Sequence, residues 1–309
     1  MWRVAVVHHG QPSNPAVSHL RRSLNRHGLV EGVHCVVEAA GAAGQWHRLP
    51  RLVEQLLHRG PDVLVAIGAL AALSAQQATA RAPILHAIVL DPSEIGLTAP
   101  NVSGITTFDP DQATHHVQLL GQLMPQLHHL ALLTDTDAPR AADGLNPLLS
   151  RFRQAATARR LEITCATVSN TDADLGRSFD LVRRSHAEAL VALEVPAVTA
   201  RLEEIVRMAE RERLPTLSPY GGPEASVVMQ GAALLDAIDP LAERIAATVR
   251  GTSGTDEPLR SVRHERLVVH RGRARRIGLI VPECVLDRVT EFIDDRPGND
   301  LRLHADSRL

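Results

Sequence analysis

Short apolar segments alternate with longer amphipathic segments along most of the chain, and this alternation limits the possible folds more than any other feature. Residues 62–67 are almost entirely apolar, which is typical of a strand buried on both faces. Residues 49–57 instead repeat leucine and valine at helical spacing. Strands and helices in this order predict parallel sheets covered by helices on both faces.

The cycle of strands and helices runs twice along the chain, so we predict two α/β lobes of similar size. The predicted strands are 2–8, 33–38, 62–67, 84–90, 102–107, 127–133, 162–168, 189–193, 214–217, 225–230 and 267–270. The predicted helices are 15–27, 49–57, 68–80, 110–123, 140–159, 172–184, 197–212, 240–250, 272–277 and 282–292.

The C-terminal segments are too small to form a third domain, so we expect them to complete the two lobes. The N-terminal lobe would contain residues 1–107 and about 234–260, and the C-terminal lobe 108–233 and about 261–293. Residues 294–309 form a polar tail that is expected to fray. The predicted fold class is therefore α/β, with two doubly wound parallel-sheet lobes joined by a hinge of several strands.

Composition excludes several classes of protein. The chain contains no lysine, which excludes the P-loop, Schiff-base enzymes and pyridoxal-phosphate enzymes, because each needs a lysine amine. A net charge of -2 and an aromatic content of 2% argue against a nucleic-acid partner. No apolar run is long enough to cross a bilayer, so we expect no transmembrane segment.

Cysteine and histidine spacings give no sign of a metal or redox centre. Cys35, Cys165 and Cys284 are far apart and are expected to be small buried residues. The histidine doublets at 8–9, 115–116 and 128–129 cannot place both rings on one ion, since adjacent residues point to different faces of an element. Without a GxSxG, HExxH or GxGxxG motif, the sequence predicts no metal, no cofactor and no catalytic residue.

The loops that follow the predicted strands are the candidate binding loops, because ligands of parallel sheets bind at the carboxyl ends of the strands. Two facing lobes would place these loops on opposite walls of one cleft, which could close about the hinge. The predicted ligand-binding residues are Gln11, Ser13, Asn14, Gly68, Ala69, Leu70, Asp91, Thr134, Asp135, Glu194, Tyr220 and Gln230.

The loops combine two kinds of binding group. Backbone N–H groups at helix starts can receive a carboxylate. Such starts are expected at Gly68, Pro92, Asp137 and Pro196. The acidic side chains that could receive an ammonium group are Asp91, Asp135 and Glu194. Together these groups favour a zwitterion such as an amino acid, although the same residues could be ordinary helix caps.

Several candidates also have a purely structural alternative. Ser13 and Asn14 could cap the helix that follows them. Tyr220 could contact a ligand or pack between the lobes, and Gln230 could contact a ligand or satisfy backbone groups at the hinge. Phe108 is expected to plug the hinge rather than to line the cleft.

Five short segments, spread in order over nearly the whole chain, carry a family resemblance. They are Asn25-Arg26-His27-Gly28-Leu29-Val30-Glu31-Gly32, Leu49-Pro50 with Pro61-Asp62-Val63-Leu64-Val65, Asp91-Pro92 with Gly96-Leu97 and Asn101-Val102-Ser103-Gly104, Arg213-Leu214-Pro215, and Gly278-Leu279-Ile280-Val281-Pro282. This set resembles the ABC-transporter substrate-binding proteins of the group that includes tryptophan- and tyrosine-binding lipoproteins.

The resemblance implies a type I periplasmic-binding fold, whose two lobes close on a small ligand without catalysis. It also implies an ABC permease as partner and a periplasmic or lipid-anchored location. The family's GGTPAA loop is replaced here by Gly68-Ala69-Leu70-Ala71-Ala72, so a carboxylate there would be held by backbone N–H groups alone. We expect an amino-acid-like ligand and a monomer, with a dimer as the alternative.

Two other functions stay open on the sequence. The chain begins directly on a strand without an apolar leader, so a cytosolic ligand-sensing module of the same fold is one alternative. The other is a two-lobed α/β enzyme. Its acid/base pair would have to be Asp135 with His8 or His9, the only candidate pair that we find.

Overall fold

Two separate β-sheets organise the chain into two lobes. The computed structural model describes residues 1–11, 13–136, 146–169, 172–219, 226–252, 259–262 and 266–295. The strands are β1 (Trp2–His8), β2 (Cys35–Gly41), β3 (Val63–Ile67), β4 (Ile84–Ala87), β5 (Val102–Thr106), β6 (His129–Asp135), β7 (Glu162–Val168), β8 (Ala189–Ala192), β9 (Thr216–Ser218), β10 (Val228–Gly231), β11 (Arg260–Ser261), β12 (Arg266–His270) and β13 (Glu291–Ile293).

Helices connect most of these strands and cover the sheets. They are α1 (Pro15–Arg26), α2 (Leu49–Leu57), α3 (Ala69–Ala78), α4 (Gln112–Leu123), α5 (Pro147–Ala158), α6 (Asp172–Arg184), α7 (Pro196–Ala200), α8 (Leu202–Arg211), α9 (Ile238–Val249), α10 (Arg271–Ile277) and α11 (Glu283–Leu286). Short 3-10 turns precede α2 and α9.

The strand order in the first lobe is β11-β5-β4-β3-β1-β2, and in the second it is β13-β12-β10-β9-β8-β6-β7. Neighbouring strands are parallel, except that β12 runs antiparallel to β10. The chain crosses between the lobes after β5, after β10 and after β11. The predicted fold class of two doubly wound α/β lobes is therefore confirmed.

The first-lobe sheet has an apolar core on each face, as β1 illustrates. Val4 and Val6 pack in the cluster that contains α1 and α9, whereas Ala5 and Val7 pack in the cluster that contains α2 and α3. Alternate residues of a strand point to opposite faces, so one apolar strand supplies both cores.

The second lobe has one large core around β6 and β8, and Phe152 of α5 is the largest fully buried side chain among its described residues. Leu90, which follows β4 of the first lobe, packs against this second core. The two lobes are thus already in apolar contact on one side of the space between them.

Most predicted elements differ from the structure by a few residues at their ends, and three differ in extent, continuity or type. The strand predicted over 84–90 ends at Ala87, because Ile88 adopts a left-handed φ of 58°. The helix predicted over 197–212 is divided into α7 and α8 at Arg201, whose φ of -115° leaves the helical region. The segment predicted as helical over 282–292 contains α11 and then β13, which pairs with the edge of β12.

The cysteines and the membrane prediction can be compared directly with the structure. Cys35 is buried and Cys165 is half-buried, but Cys284 is exposed, so the prediction of three buried thiols was wrong for Cys284. Among the described residues, none of the helices combines the length and the apolar character that crossing a bilayer requires.

Candidate functional site

A cleft of about 750 Å³ lies between the lobes, where the carboxyl ends of strands from both sheets face each other. The first-lobe wall is lined by His9, Gly10, Gln11, Ser13, Asn14, Pro15, Gly68, Ala69, Ile88, Leu90, Asp91 and Ile95. The second-lobe wall is lined by Phe108, Asn146, Pro147, Leu148, Glu194, Val195, Thr199 and Ala200. Most of these side chains are apolar or small, with a few polar groups among them, which is typical of small-molecule sites.

Each wall contains a helix that begins with the same local feature, an asparagine N-cap followed by proline. In the first wall, Asn14 Oδ1 accepts the N–H of Ala16 at 2.9 Å. In the second, Asn146 Oδ1 accepts the N–H of Leu148 at 3.0 Å and that of Leu149 at 3.3 Å. The capping role considered for Asn14 is thus confirmed, and these two helix starts are closed by their own side chains.

The start of α3 in the first wall has no such cap. Gly68 has a φ of 95°, which favours glycine, and no side chain of the described residues caps this helix. The first backbone N–H groups of α3 therefore have no cap where Gly68 and Ala69 line the cleft. Aligned N–H groups at a helix start attract an anion, so this part of the wall is suited to a carboxylate.

Glu194 carries the acidic group of the second wall. It follows β8, is half-buried and lines the cleft. Burial raises the pKa of its carboxyl group to about 7, and a hydrogen bond from the Gln112 side chain acts in the opposite direction. A carboxyl group in this environment gains stability from a cation that replaces its lost hydration.

An ion pair joins the two walls at one side of the cleft. Arg151 of α5 donates from Nη2 to Asp91 Oδ2 at 2.6 Å and to Glu94 Oε1 at 2.8 Å. Its guanidinium group also lies 5.1 Å from the centre of the Phe108 ring. Asp91 lines the cleft as predicted, but its carboxylate is already paired with arginine, which corrects the expectation that it would receive an ammonium group.

The backbone after β4 is locally strained beside the ion pair between Arg151 and Asp91. Ile88 has a φ of 58° and Asp91 a φ of 39°, although neither is glycine. A left-handed conformation is unusual for a β-branched residue and costs about 1–3 kcal/mol. The strained turn places Ile88, Leu90 and Asp91 on the cleft wall, so residues 88–91 are the part of the first lobe that reaches towards the second.

Seven predicted ligand-binding residues come together in the cleft, and their contact with a ligand stays a prediction. They are Gln11, Ser13, Asn14, Gly68, Ala69, Asp91 and Glu194. Leu70 is not among the lining residues, because its side chain packs against the first-lobe core. Phe108 does line the cleft, so the expectation that it would only plug the hinge is wrong.

Thr134 and Asp135 do not line the cleft, which corrects their prediction. Both are buried at the end of β6, and Asp135 Oδ2 accepts the N–H of Ala197 at 2.7 Å. Asp135 therefore caps the start of α7, and its carboxylate is already engaged. The pairing of Asp135 with His8 that an enzyme would need is also weakened, since His8 Nδ1 lies 3.2 Å from the Asn14 amide nitrogen.

The remaining predicted groups lie elsewhere. Gln230 lines a smaller cavity beside the cleft. Pro92 does not begin a helix, because the residues that follow it form turns. Tyr220 and Asp137 lie outside the described residues. Within the described part of the chain, no group of three or more His, Cys, Asp or Glu side chains could hold a metal ion.

Sequence reasoning missed Arg151 and the Asn146-Pro147 pair. The second could have been found, because Asn146-Pro147 repeats the Asn14-Pro15 pair that starts α1. Arg151 gives no such signal. Its partners are far away in the sequence and meet it only when the two lobes face each other.

Comparison with known proteins identifies related sequences and folds. A model of the family described as ABC transporter substrate binding protein matches residues 3–293. No curated protein matches the sequence.

Three solved structures share this architecture. A conserved domain protein from Vibrio cholerae is 21% identical, with a TM-score of 0.84 over 94% of this chain and 99% of that one. An ABC domain in complex with L-Trp from Streptococcus pneumoniae is 19% identical, with a TM-score of 0.79 over 94% and 100%. A solute-binding protein in complex with D-arabinose from Burkholderia graminis is 12% identical, with a TM-score of 0.64 over 85% and 94%. At these identities the similarity shows the fold alone.

Proposed function

The chain belongs to the ABC transporter substrate-binding protein family, and we propose that it is the solute receptor of an ABC importer, which closes its two lobes on a small ligand. The observation that carries this proposal is the cleft of about 750 Å³, which both lobes line with the ends of their strands. A site divided between two lobes favours closure, because the ligand gains its full set of contacts only when both walls meet it.

The proposal includes binding without turnover. The family is one of receptors rather than enzymes. The acid/base pair that the sequence suggested was Asp135 with His8 or His9, and Asp135 does not line the cleft because its carboxylate accepts the N–H of Ala197 at the start of α7. The ligand would therefore be released unchanged to a permease. This role requires the protein to act on the outer side of the membrane, where members of the family are typically found.

For the ligand we propose an amino acid or a related small molecule. The uncapped start of α3 supplies N–H donors for a carboxylate on the first wall, and Glu194 supplies an acceptor for an ammonium group on the second. Apolar side chains such as Ile88 and Leu148 lie in the same cleft and suit an apolar ligand body. Proteins of this fold bind L-Trp in one case and D-arabinose in another, so sugars are the natural competing class.

A thermal-shift screen of amino acids, small carboxylates and sugars tests the receptor function. A ligand at about 100 times its Kd should add about 2.7 kcal/mol of stability and raise the melting temperature visibly. Small-angle scattering of the complex should show a smaller radius of gyration, and chromatography should recover the ligand unchanged. Consumption of the ligand would contradict the proposal, as would the lack of any stabilising compound in a protein shown to carry no co-purified molecule.

A further inference from the structure

A second cavity, the α4–α5 groove, lies between those two helices of the second lobe. Its volume is about 500 Å³, and it is lined by residues of 110–118 on one side and of 151–159 on the other. None of these lining residues also lines the cleft. The α4–α5 groove is therefore separate from the site of the proposed function.

Positive charges and hydrogen-bond donors predominate among the polar groups of the groove. The lining side chains that can donate are Thr114, Gln118, Arg151, Gln154 and Arg159. Asp111 is the one carboxylate among the described residues that line it. The Cα atoms of the two arginines are about 12 Å apart along α5. Small apolar side chains, Val117 and Ala155, lie between these two positive ends.

Arg159 supplies the positive charge at one end of the groove. A Cβ added at Gly121 of α4 would lie 2.7 Å from Arg159 Nη1, so a glycine lets the guanidinium group lie against the helix. Within the described part of the chain, the Arg159 side chain makes no ion pair or hydrogen bond. Its charge is therefore available to a ligand of the groove.

Two sources of positive potential meet at the other end. The Arg151 guanidinium group lies over the ring of Phe108, which precedes α4. Asp111 is the N-cap residue of α4, but its side chain makes no capping hydrogen bond. Ala113 and Thr114 of the first helical turn line the groove, and free N–H groups at the start of a helix favour an anion. An acidic group at this end would therefore meet both the arginine and the helix start.

Arg151 belongs both to the groove and to the contact between the lobes. Its Nη2 donates to Asp91 and Glu94 of the first lobe, whereas its Nη1 is not among the buried atoms and makes no hydrogen bond to the described residues. Two carboxylates thus offset the charge of Arg151 while the lobes are in contact. When the lobes separate, Arg151 loses both carboxylates, and the groove attracts an anion more strongly.

We propose that the α4–α5 groove is a second binding site, for elongated organic dianions with an apolar middle, and that such a dianion opposes closure of the lobes. One acidic group pairs with Arg151 and the start of α4, and the other pairs with Arg159. A ligand that binds the open arrangement more tightly shifts the lobes towards it. The site itself goes beyond the proposed receptor function, and only its effect on closure rests on that function.

A series of straight-chain dicarboxylates measures the length of the site by isothermal titration calorimetry. The probes are succinate, adipate, suberate and sebacate, at about pH 8 and constant ionic strength. Suberate separates its carboxyl carbons by about 9 Å, which approaches the spacing of the arginines. We expect the affinity to rise about tenfold or more from succinate to suberate. Octanoate, with one acidic group, should bind about tenfold more weakly than suberate, and the neutral suberamide should not bind.

Small-angle scattering tests the effect on the lobes without any ligand in the cleft. Saturating suberate should increase the radius of gyration, because it draws Arg151 away from Asp91 and Glu94. Sodium chloride at the same ionic strength is the control, since it screens the ion pairs without occupying the groove.

Variants locate the binding in the groove. Arg159→Met removes the cation that takes no part in the contact between the lobes, and it should weaken suberate about tenfold or more. Gly121→Ala keeps the net charge but displaces the guanidinium group from α4, and it should weaken suberate about threefold. Arg153→Met, on the exposed face of the same helix, is the matched control and should change nothing. Ala69→Asp changes the cleft wall instead and should leave the affinity for suberate unchanged.

Four outcomes overturn the proposal. They are the absence of binding by every diacid, an affinity that does not depend on chain length, an Arg159→Met protein that keeps its affinity within about twofold, and a radius of gyration that suberate leaves unchanged. Loss of binding in Ala69→Asp but not in Arg159→Met would place the diacid in the cleft, which overturns the second site and preserves the receptor. Suberate in the groove of a protein whose cleft binds no compound would instead overturn the receptor and preserve the site.

Discussion

The two walls of the cleft are built alike but offer opposite chemistry. Each wall has a helix that begins with Asn-Pro, and in each the asparagine closes that helix start with its own side chain. The walls differ at their other helix start. In the first lobe, α3 begins uncapped at Gly68, whereas in the second lobe the start of α7 receives the carboxylate of Asp135, and Glu194 beside it remains for another partner.

This difference between the walls underlies the class of ligand that we propose. The first wall offers N–H donors and the second offers a carboxylate, so a molecule with a carboxylate at one end and an ammonium at the other contacts both. A ligand with only one of these groups stabilises one wall and gives less free energy for closure. The asymmetry between the walls is therefore the basis of the proposed specificity.

The largest effect should come from disabling the first wall with Ala69→Asp. The new carboxylate lies at the uncapped start of α3 and both occupies and repels the position of the ligand carboxylate. Calorimetry should show about a 100-fold loss of affinity for amino acids but a much smaller loss for the decarboxylated amines. Ala78→Asp, at the exposed far end of the same helix, is the control. Equal losses of affinity for amino acids and for decarboxylated amines would show that the N–H groups at the start of α3 do not bind the ligand carboxylate.

The second wall can be titrated instead of mutated. An ammonium group binds the ionised form of Glu194, and burial raises the pKa of this carboxyl group to about 7. The affinity for amine-bearing ligands should therefore fall as the pH is lowered below about 7, with a slope approaching tenfold per pH unit. Deaminated acids lack the ammonium group and should show no such slope. A flat profile for the amines would remove Glu194 from the binding site.

The unliganded protein should show the opposite dependence on pH. The folded-state pKa of Glu194 lies above its usual value of 4.5, so folding favours the protonated form. The contribution of Glu194 to stability is fully present below about pH 4.5 and is lost as the pH rises through about 7. The difference in unfolding free energy between wild type and Glu194→Gln, measured by chemical denaturation, should therefore change by about 3 kcal/mol between these two pH values. The contributions of the other titrating groups are the same in both proteins and cancel in this difference.

The contact between the walls should have a smaller effect that is the same for every ligand. Arg151→Met removes the ion pairs to Asp91 and Glu94, and such partly buried pairs contribute about 1 kcal/mol. The affinities of all ligands of the cleft should fall about fivefold, because closure loses a contact that does not involve the ligand. Scattering of the unliganded variant should show a larger radius of gyration. Arg153→Met, on the exposed face of α5, should leave both quantities unchanged.

The smallest effect should come from removing the asparagine helix caps, which both walls have. Asn14→Ala and Asn146→Ala each remove a helix cap, which costs about 1 kcal/mol of unfolding free energy. Urea denaturation of the two single variants and the double variant should show similar, additive losses, because the caps lie in different lobes. A cap whose removal costs nothing would show that the two walls are less alike than their hydrogen bonds indicate.

Much of the fold and part of the site followed from the sequence. Apolar strands such as β3 and helix starts such as Asn14-Pro15 are local signals, and they predicted the lobes and the binding loops. The ends of strands also located Glu194 and Gly68, because parallel strands present their carboxyl ends on one edge of the sheet.

The features of the site that the sequence did not predict depend on contacts between residues far apart in the chain. Strand ends alone do not show that Glu194 lines the cleft and Asp135 does not, because this depends on the α7 N–H groups that Asp135 accepts from. The strained turn at Ile88 and the pairing of Arg151 with Asp91 arise where the lobes meet. The small cavity beside the cleft is lined by Gln112 and Gln230, which lie far apart in the chain, and no spacing in the sequence predicts it.

A crystal structure of the protein with its tightest-binding cleft ligand tests the account most directly. We predict that the ligand lies across the cleft, with its ammonium nitrogen within hydrogen-bond distance of Glu194 and its carboxylate on the N–H groups that start α3. A ligand bound in the reverse orientation, or one that makes no contact with Glu194, would contradict the opposite roles of the two walls.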